Sequence, residues 1–253
     1  MADNLLVTCV YDECHEFPAG SHNARYCPLC SCKRKAENKK KQLSKPHVYD
    51  EETWQLQENR KLALAHEREA RDIWILRNKR IAMFDIETTN LDADIGEMLC
   101  ACIKPLGRPV KSFIVDTTAG DGALSASLRD ELRNYDYVVT WYGTKFDMPY
   151  LTTRLISAGE ETLGYMRHVD LYYTSRFKLK LHSNRLAAVG EFMFGKTQKT
   201  RVIGPIWLRA IRGDKEAMDY IVKHCQKDVR ELERIFCELV PHRNLSATPL
   251  RKY

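Results

Sequence analysis

Several things are missing from this 253-residue sequence, and each absence narrows what the chain can be. No run of about eighteen apolar residues occurs, so no segment has the length to cross a bilayer as a helix. The opening MADNLLVTCVYDEC lacks a basic stretch leading into an apolar one, which argues against a secretory signal. No internal repeat is present, and a lysine-rich run is the nearest approach to low complexity. Together these absences predict an intracellular, cytoplasmic protein in a reducing setting, with no membrane partner.

What is present fits a globular protein, with 44% hydrophobic and 29% charged residues. The length allows one sizeable α/β core plus a small appendage. The formal charge of +6 says little, but its distribution says more. Lys33, Arg34, Lys35, Lys39, Lys40, Lys41 and Lys45 face a single acid, Glu37, within one short run. Such a run can engage phosphates, with an affinity that falls steeply as salt rises. It can equally be a solvated linker, and the run alone does not choose.

Of nine cysteines, five fall in the first 32 residues. Cys9-x4-Cys14 and Cys27-x2-Cys30 form two close pairs separated by twelve residues. Thiolate pairs at such spacing can converge on tetrahedral Zn²⁺, which replaces a hydrophobic core in a module this small. Cys32, His15 and His22 are alternative ligands, and a reducing compartment argues against disulfides. The remaining Cys100, Cys102, Cys225 and Cys237 sit in apolar segments and read as small core residues. Three parts follow: a zinc-binding module over 1–32, a basic linker and long helix over 33–78, and an α/β domain over 79–253.

Residues 50–77 hold strong helix formers with no glycine or proline, and predict one long helix capped by Asp50. Trp54, Leu62, Leu64, Ile73 and Leu76 would be its packing stripe. Strands are predicted at 80–84, 98–103, 110–115 and 137–141, and helices at 123–133, 148–158, 184–194, 205–211 and 214–239. Three strands followed by alternating helix and strand suggest a mixed sheet flanked by helices.

Three acidic segments stand out. Asp85 and Glu87 end the first strand, and positions i and i+2 of a strand face the same side. Two carboxylates so close repel unless a cation sits between them, and oxygen donors suit Mg²⁺ or Mn²⁺. Asp147 follows a glycine-containing loop, where an ordinary helix N-cap would account for it. His224 and Asp228 are four apart in a helix and therefore adjacent on one face. Asp170, after a further short apolar stretch, reads as a structural cap or as a residue that positions substrate or the active-site helix.

Taken together, Phe84-Asp85-Ile86-Glu87-Thr88, Trp141-Tyr142-Gly143-Thr144-Lys145-Phe146-Asp147 and His224-Cys225-Gln226-Lys227-Asp228 resemble the three motifs of the DEDD exonucleases in the RNase H-like superfamily. The likeness runs over about 79–239. It is nearest to the proofreading domains of family B DNA polymerases and to stand-alone phage and bacterial relatives. The second motif ordinarily carries asparagine at the position of Tyr142. The third ordinarily reads Tyr-x3-Asp or His-x4-Asp, whereas His224 keeps the shorter spacing. Tyr220 lies two turns from Asp228 and does not match.

The resemblance implies an RNase H-like fold and two-metal hydrolysis of nucleic acid from its 3′ end. Asp85, Glu87, Asp147 and Asp228 would hold the two divalent ions, and His224 would orient the attacking water or take its proton. Thr88, Tyr142, Phe146, Tyr150 and Arg154 are candidate substrate contacts, with Lys196, Lys199 and Arg201 as a basic loop along the strand. Single-stranded DNA is the favoured substrate, with a replication or repair protein as a further partner. Competing readings are an RNA exonuclease, a non-catalytic nucleic-acid-binding protein, and a polymerase-associated subunit docking through the zinc module.

Overall fold

The computed structural model describes residues 51–197 and 204–253, together with residues 6–8, 16–18, 35, 37, 38 and 40. The chain divides into two compact units, Met1–Lys61 and Leu62–Tyr253. In the first, β1 (Leu6–Thr8) pairs antiparallel with β2 (Glu16–Pro18), and Val7 lies opposite Phe17. The expected zinc ligands Cys9, Cys14, Cys27 and Cys30, the alternatives Cys32, His15 and His22, and the loop residues Lys199 and Arg201 lie outside the described residues.

Helix α1 (Glu51–Asn78) forms where helix formers predict it, but the expected packing stripe does not. Trp54, Leu62, Leu64 and Ile73 are exposed, and Ile75 is the residue that enters the core, with Leu76 packed beside it. The reason is geometric. The face that meets the domain runs through Asp72, which accepts the Ser246 amide, and Ile75 and Leu76; Leu62 and Ile73 fall together on one flank of that face and Leu64 on the other.

The second unit is built on a six-stranded mixed sheet. Its strands are β3 (Ile81–Thr88), β4 (Met98–Pro105), β5 (Lys111–Ile114), β6 (Tyr137–Thr140), β7 (Tyr165–Asp170) and β8 (Leu250–Lys252). They lie in the order β5-β4-β3-β6-β7-β8. The meander β3–β4–β5 is antiparallel, β6 and β7 add in parallel, and β8 closes the far edge antiparallel to β7. Strand β3 is therefore central, buried on both sides by β4 and β6. Its four-residue apolar lead, Ile81, Ala82, Met83 and Phe84, is buried throughout, as a two-sided strand requires.

Among the described residues six α-helices flank the sheet: α2 (Gly122–Leu132), α3 (Asp147–Ser157), α4 (Leu171–Lys178), α5 (Leu186–Phe194), α6 (Gly204–Ile211) and α7 (Lys215–Leu239). Helix α7 packs on β3 and β4 and carries α5 and α6 along its length. Its apolar stripe, including Ile221, Val229, Leu232, Ile235 and Phe236, is fully or almost fully buried. Asp214 caps it by accepting the Ala217 amide at 3.1 Å. Among the cysteines expected in the core, Cys100, Cys102 and Cys225 are buried, whereas Cys237 is exposed on α7. Among the described residues, no helix is long and apolar enough to cross a membrane.

Candidate active site

The site begins at the downstream end of β3, where the strand's buried run gives way to acids. Asp85 and Glu87 alternate with buried Ile86, so both carboxylates leave the same face of the sheet. The ladder with β4 continues past them, Asp85 opposite Cys102 and Glu87 opposite Cys100, and a register shift follows at Thr88. The two acids are thus held inside a paired strand, not on a frayed end.

Asp147 comes to them from the other side. It opens α3, but Phe146 occupies the N-cap position and no side chain caps the helix. The Asp147 carboxylate instead accepts the backbone N–H of Ile86 at 3.2 Å, between Asp85 and Glu87. A capping role therefore does not account for it. Its side chain is almost wholly buried, and burial, with the Asp85 charge adding to it, pushes the carboxyl well above the usual range.

The loop that delivers Asp147 is held from below by Asp170. One carboxylate oxygen accepts the amides of Tyr142 at 2.9 Å and Tyr172 at 3.1 Å, and the other accepts Thr144 at 2.9 Å. Asp170 is thus both the cap of α4 and the anchor of the loop. Tyr142 takes a left-handed backbone, φ 68°, the one such non-glycine among the described residues. Asparagine, ordinary at this position in the resembling motif, tolerates that conformation far better than tyrosine. Gly143 is required by close approach: a Cβ there would come within 3.0 Å of three Thr140 side-chain atoms. Thr140 Oγ1 accepts the Gly143 amide at 3.1 Å and lies 2.7 Å from His168 Nε2, while His168 Nδ1 lies 2.7 Å from the Tyr253 hydroxyl.

Helix α7 supplies the third segment. His224 Nε2 lies 3.5 Å from Glu87 Oε1 and 3.8 Å from Asp228 Oδ2, so the imidazole bridges acids of two elements. Both His224 and Asp228 are buried. Cys225, unremarked as a site residue in the sequence, is equally close: its thiol lies 3.4 Å from Asp85 Oδ2. Ligand atoms of Asp85, Glu87 and Cys225 fall within 4.8 Å of one another, the one such group of three among the described residues.

The remaining candidates divide. Thr88, Phe146 and Glu87 line a groove of about 460 Å³ together with Leu91 and Trp207. Trp207 sits on α6, and neither its spacing nor its neighbours in sequence pointed to the groove. Tyr150 is buried, its ring 5.5 Å from that of Phe146. Arg154 is engaged elsewhere: its guanidinium grips buried Asp121 through Nε and Nη2, at 2.9 and 2.8 Å, and donates to the Ala93 carbonyl at 3.0 Å. Tyr220 is partly exposed on α7.

A family model described as RNase_H superfamily matches residues 82–240. Among solved structures, the chain is similar to the family B DNA polymerase from the hyperthermophilic archaeon Pyrobaculum calidifontis, with a TM-score of 0.54 at 17% sequence identity. The likeness covers 64% of this chain and 25% of the polymerase, so the chain spans about a quarter of that protein's length. No curated protein matches by sequence. The structural likeness speaks for the fold, while the matched range takes in every element from β3 to α7 and all of the clustered acids. This chain belongs to the RNase H superfamily.

Proposed function

We propose that the protein is a metal-dependent nuclease that removes nucleotides from the 3′ end of single-stranded nucleic acid, DNA in preference to RNA. The observation that carries this reading is the convergence of three separate segments: Asp85 and Glu87 on β3, Asp147 hydrogen-bonded between them, and the His224–Asp228 pair of α7 against Glu87. Buried like charges of this kind are costly without a counter-ion. The raised Asp147 carboxyl reflects that cost, and oxygen donors in this number suit Mg²⁺ or Mn²⁺.

Asp85, Glu87, Asp147 and Asp228 would hold the divalent ions. Bound there, such ions activate water and stabilise charge on the attacked phosphate and the departing 3′ oxygen. The chain's own residues do the rest. His224, fixed between Glu87 and Asp228, accepts the proton of the attacking water at Nε2. Phe146 and Trp207 line the groove beside Glu87 together with Thr88, and would supply the aromatic contact for the terminal base. Likeness of fold to part of a DNA polymerase favours DNA and a replication or repair partner over the RNA and non-catalytic readings. The N-terminal cysteines Cys9, Cys14, Cys27 and Cys30 would hold a structural Zn²⁺, a reading supported by their spacing alone.

The test uses end-labelled DNA and RNA strands, single and double, with Mg²⁺ or Mn²⁺. A ladder shortening from the 3′ end of single strands is expected, and Asp85→Ala or Asp228→Ala should abolish it with the fold intact. Full activity in either purified variant overturns the assignment.

A further inference from the structure

Outside the acid cluster, aromatic side chains gather where water would not favour them. Tyr142 and Phe177 are 44% and 78% exposed, and Tyr172 and Tyr173 are half-buried. The rings of Tyr142 and Tyr173 lie 6.3 Å apart at an interplanar angle of 32°, and those of Tyr173 and Phe177 lie 6.4 Å apart at 22°. The three rings therefore form a succession of two neighbouring pairs that share Tyr173, the first tilted and the second stacked. Tyr172 braces them from the side, edge-on to Tyr142 at 4.8 Å and to Tyr173 at 5.2 Å, and Trp141 is edge-on to Tyr172 in turn.

Charge runs beside the rings. Between Asp170 and Glu191 the sequence carries Arg176, Lys178, Lys180 and Arg185 and no acid. Arg176, Lys178 and Lys180 are exposed. Past Phe177 the surface dips into a cavity of about 360 Å³, where Lys178, His242 and Arg243 stand around Tyr173 and Phe177. A purely structural aromatic cluster would turn its faces inward. This one leaves Phe177 in solvent and holds Tyr142 in a backbone conformation unfavourable for tyrosine.

We propose that Tyr142, Tyr173 and Phe177 form a stacking track for successive bases of a single-stranded nucleic acid, whose phosphates are met by Arg176, Lys178 and Lys180. Aromatic rings accept any base, and a basic flank follows the backbone without reading sequence, so the surface suits a strand of arbitrary composition. The inference rests on the nuclease reading in one respect. Tyr142 lies in the loop that ends at Asp147, so the track would hold the strand upstream of the bond to be cut. The track lengthens the grip on a long strand while leaving the contacts of the terminal nucleotide to Phe146 and the groove.

The test measures fluorescence anisotropy of labelled single strands, of about twelve and about three nucleotides. It uses full-length protein carrying Asp85→Ala so that the strands survive. Adding Tyr173→Ala with Phe177→Ala is expected to weaken binding of the longer strand by about tenfold or more, while the shorter changes by less than about twofold. Phe177→Trp, which keeps an exposed ring, should retain most of the affinity, and Lys178→Glu with Lys180→Glu should flatten the dependence on salt. DNA and RNA versions of the longer strand show whether the sugar matters. Unchanged affinity for the longer strand in the double alanine variant overturns the track. So does an equal loss on a blunt duplex, whose bases are already stacked. Cleavage by the protein with Asp85 intact is scored separately, so a failure of the nuclease reading leaves the binding result to decide the track.

Discussion

Asp170 accepts the backbone amide of Tyr142 at 2.9 Å, tying a left-handed tyrosine to the end of a strand two positions away in the sheet from Asp85. With the Thr144 and Tyr172 amides on the same carboxylate, one side chain fixes both the loop before Asp147 and the start of α4. Asp170→Ala leaves three amides without that acceptor. A loss on the order of 2–3 kcal/mol in stability is expected, together with a fall in nuclease activity larger than unfolding explains. Urea denaturation beside cleavage assays under strongly native conditions separates the two effects, and wild-type cleavage rates in the variant would contradict the anchoring role.

Under the proposed function, the buried Asp147 carboxylate sets folding against metal binding. Removing its charge while keeping its shape, as in Asp147→Asn, should stabilise the metal-free protein by on the order of 1–2 kcal/mol. Added Mg²⁺ or Mn²⁺ should raise the Tm of the wild type and have little effect on the variant. Calorimetry with and without the ion provides the comparison. Equal metal-induced shifts in both proteins would remove Asp147 from the ligand set.

His168 links stability to pH. Burial, outweighing the nearby Asp170 charge, pushes its imidazole from the ordinary 6.5 down to about 4. The folded protein therefore binds this proton less readily than the unfolded chain. The contribution is complete above about pH 6.5 and is lost as pH falls towards about 4, on the order of 3 kcal/mol across that window. His168→Gln should flatten the decline in denaturation midpoint over the same range. A slope identical to wild type would show that other groups carry the acid sensitivity.

Gly190 on α5 faces Glu231 on α7, whose carboxylate would overlap any added Cβ. Glu231 is fully buried and paired with Arg234 at 2.9 Å, and Arg234 in turn lies 3.9 Å over the Phe194 ring. To make room the buried carboxylate must swing, which disturbs its ion pair with Arg234. Gly190→Ala should destabilise by about 1–3 kcal/mol, against the general helix preference for alanine of about 1 kcal/mol. Chemical denaturation decides the sign.

These residues also mark how far the sequence could be read. Asp85 and Glu87 were legible because the two-residue period of a strand survives any detail of packing. Helix α7 was legible because its apolar stripe repeats over 25 residues. Strand β7 was not. Tyr165, Arg167 and His168 dilute its apolar signal, and His168 is buried only because Thr140 and Tyr253 satisfy its ring nitrogens. Strand β8, three exposed residues long, has no pattern of its own and forms by pairing with β7. Asp147 looked like a helix cap, since its reach to Ile86 depends on where α3 docks. Arg154 looked available for substrate, and its partner Asp121 is 33 residues away.

Three stretches far apart in the chain, around Asp85, Asp147 and Asp228, supply the clustered acids, and the last of them rides on α7. A growing polypeptide on the ribosome therefore holds an incomplete set of these acids until that helix has emerged and docked. Under the proposed function, a truncated or half-folded chain would be inert towards the nucleic acids around it, and cutting would start only once the domain is finished.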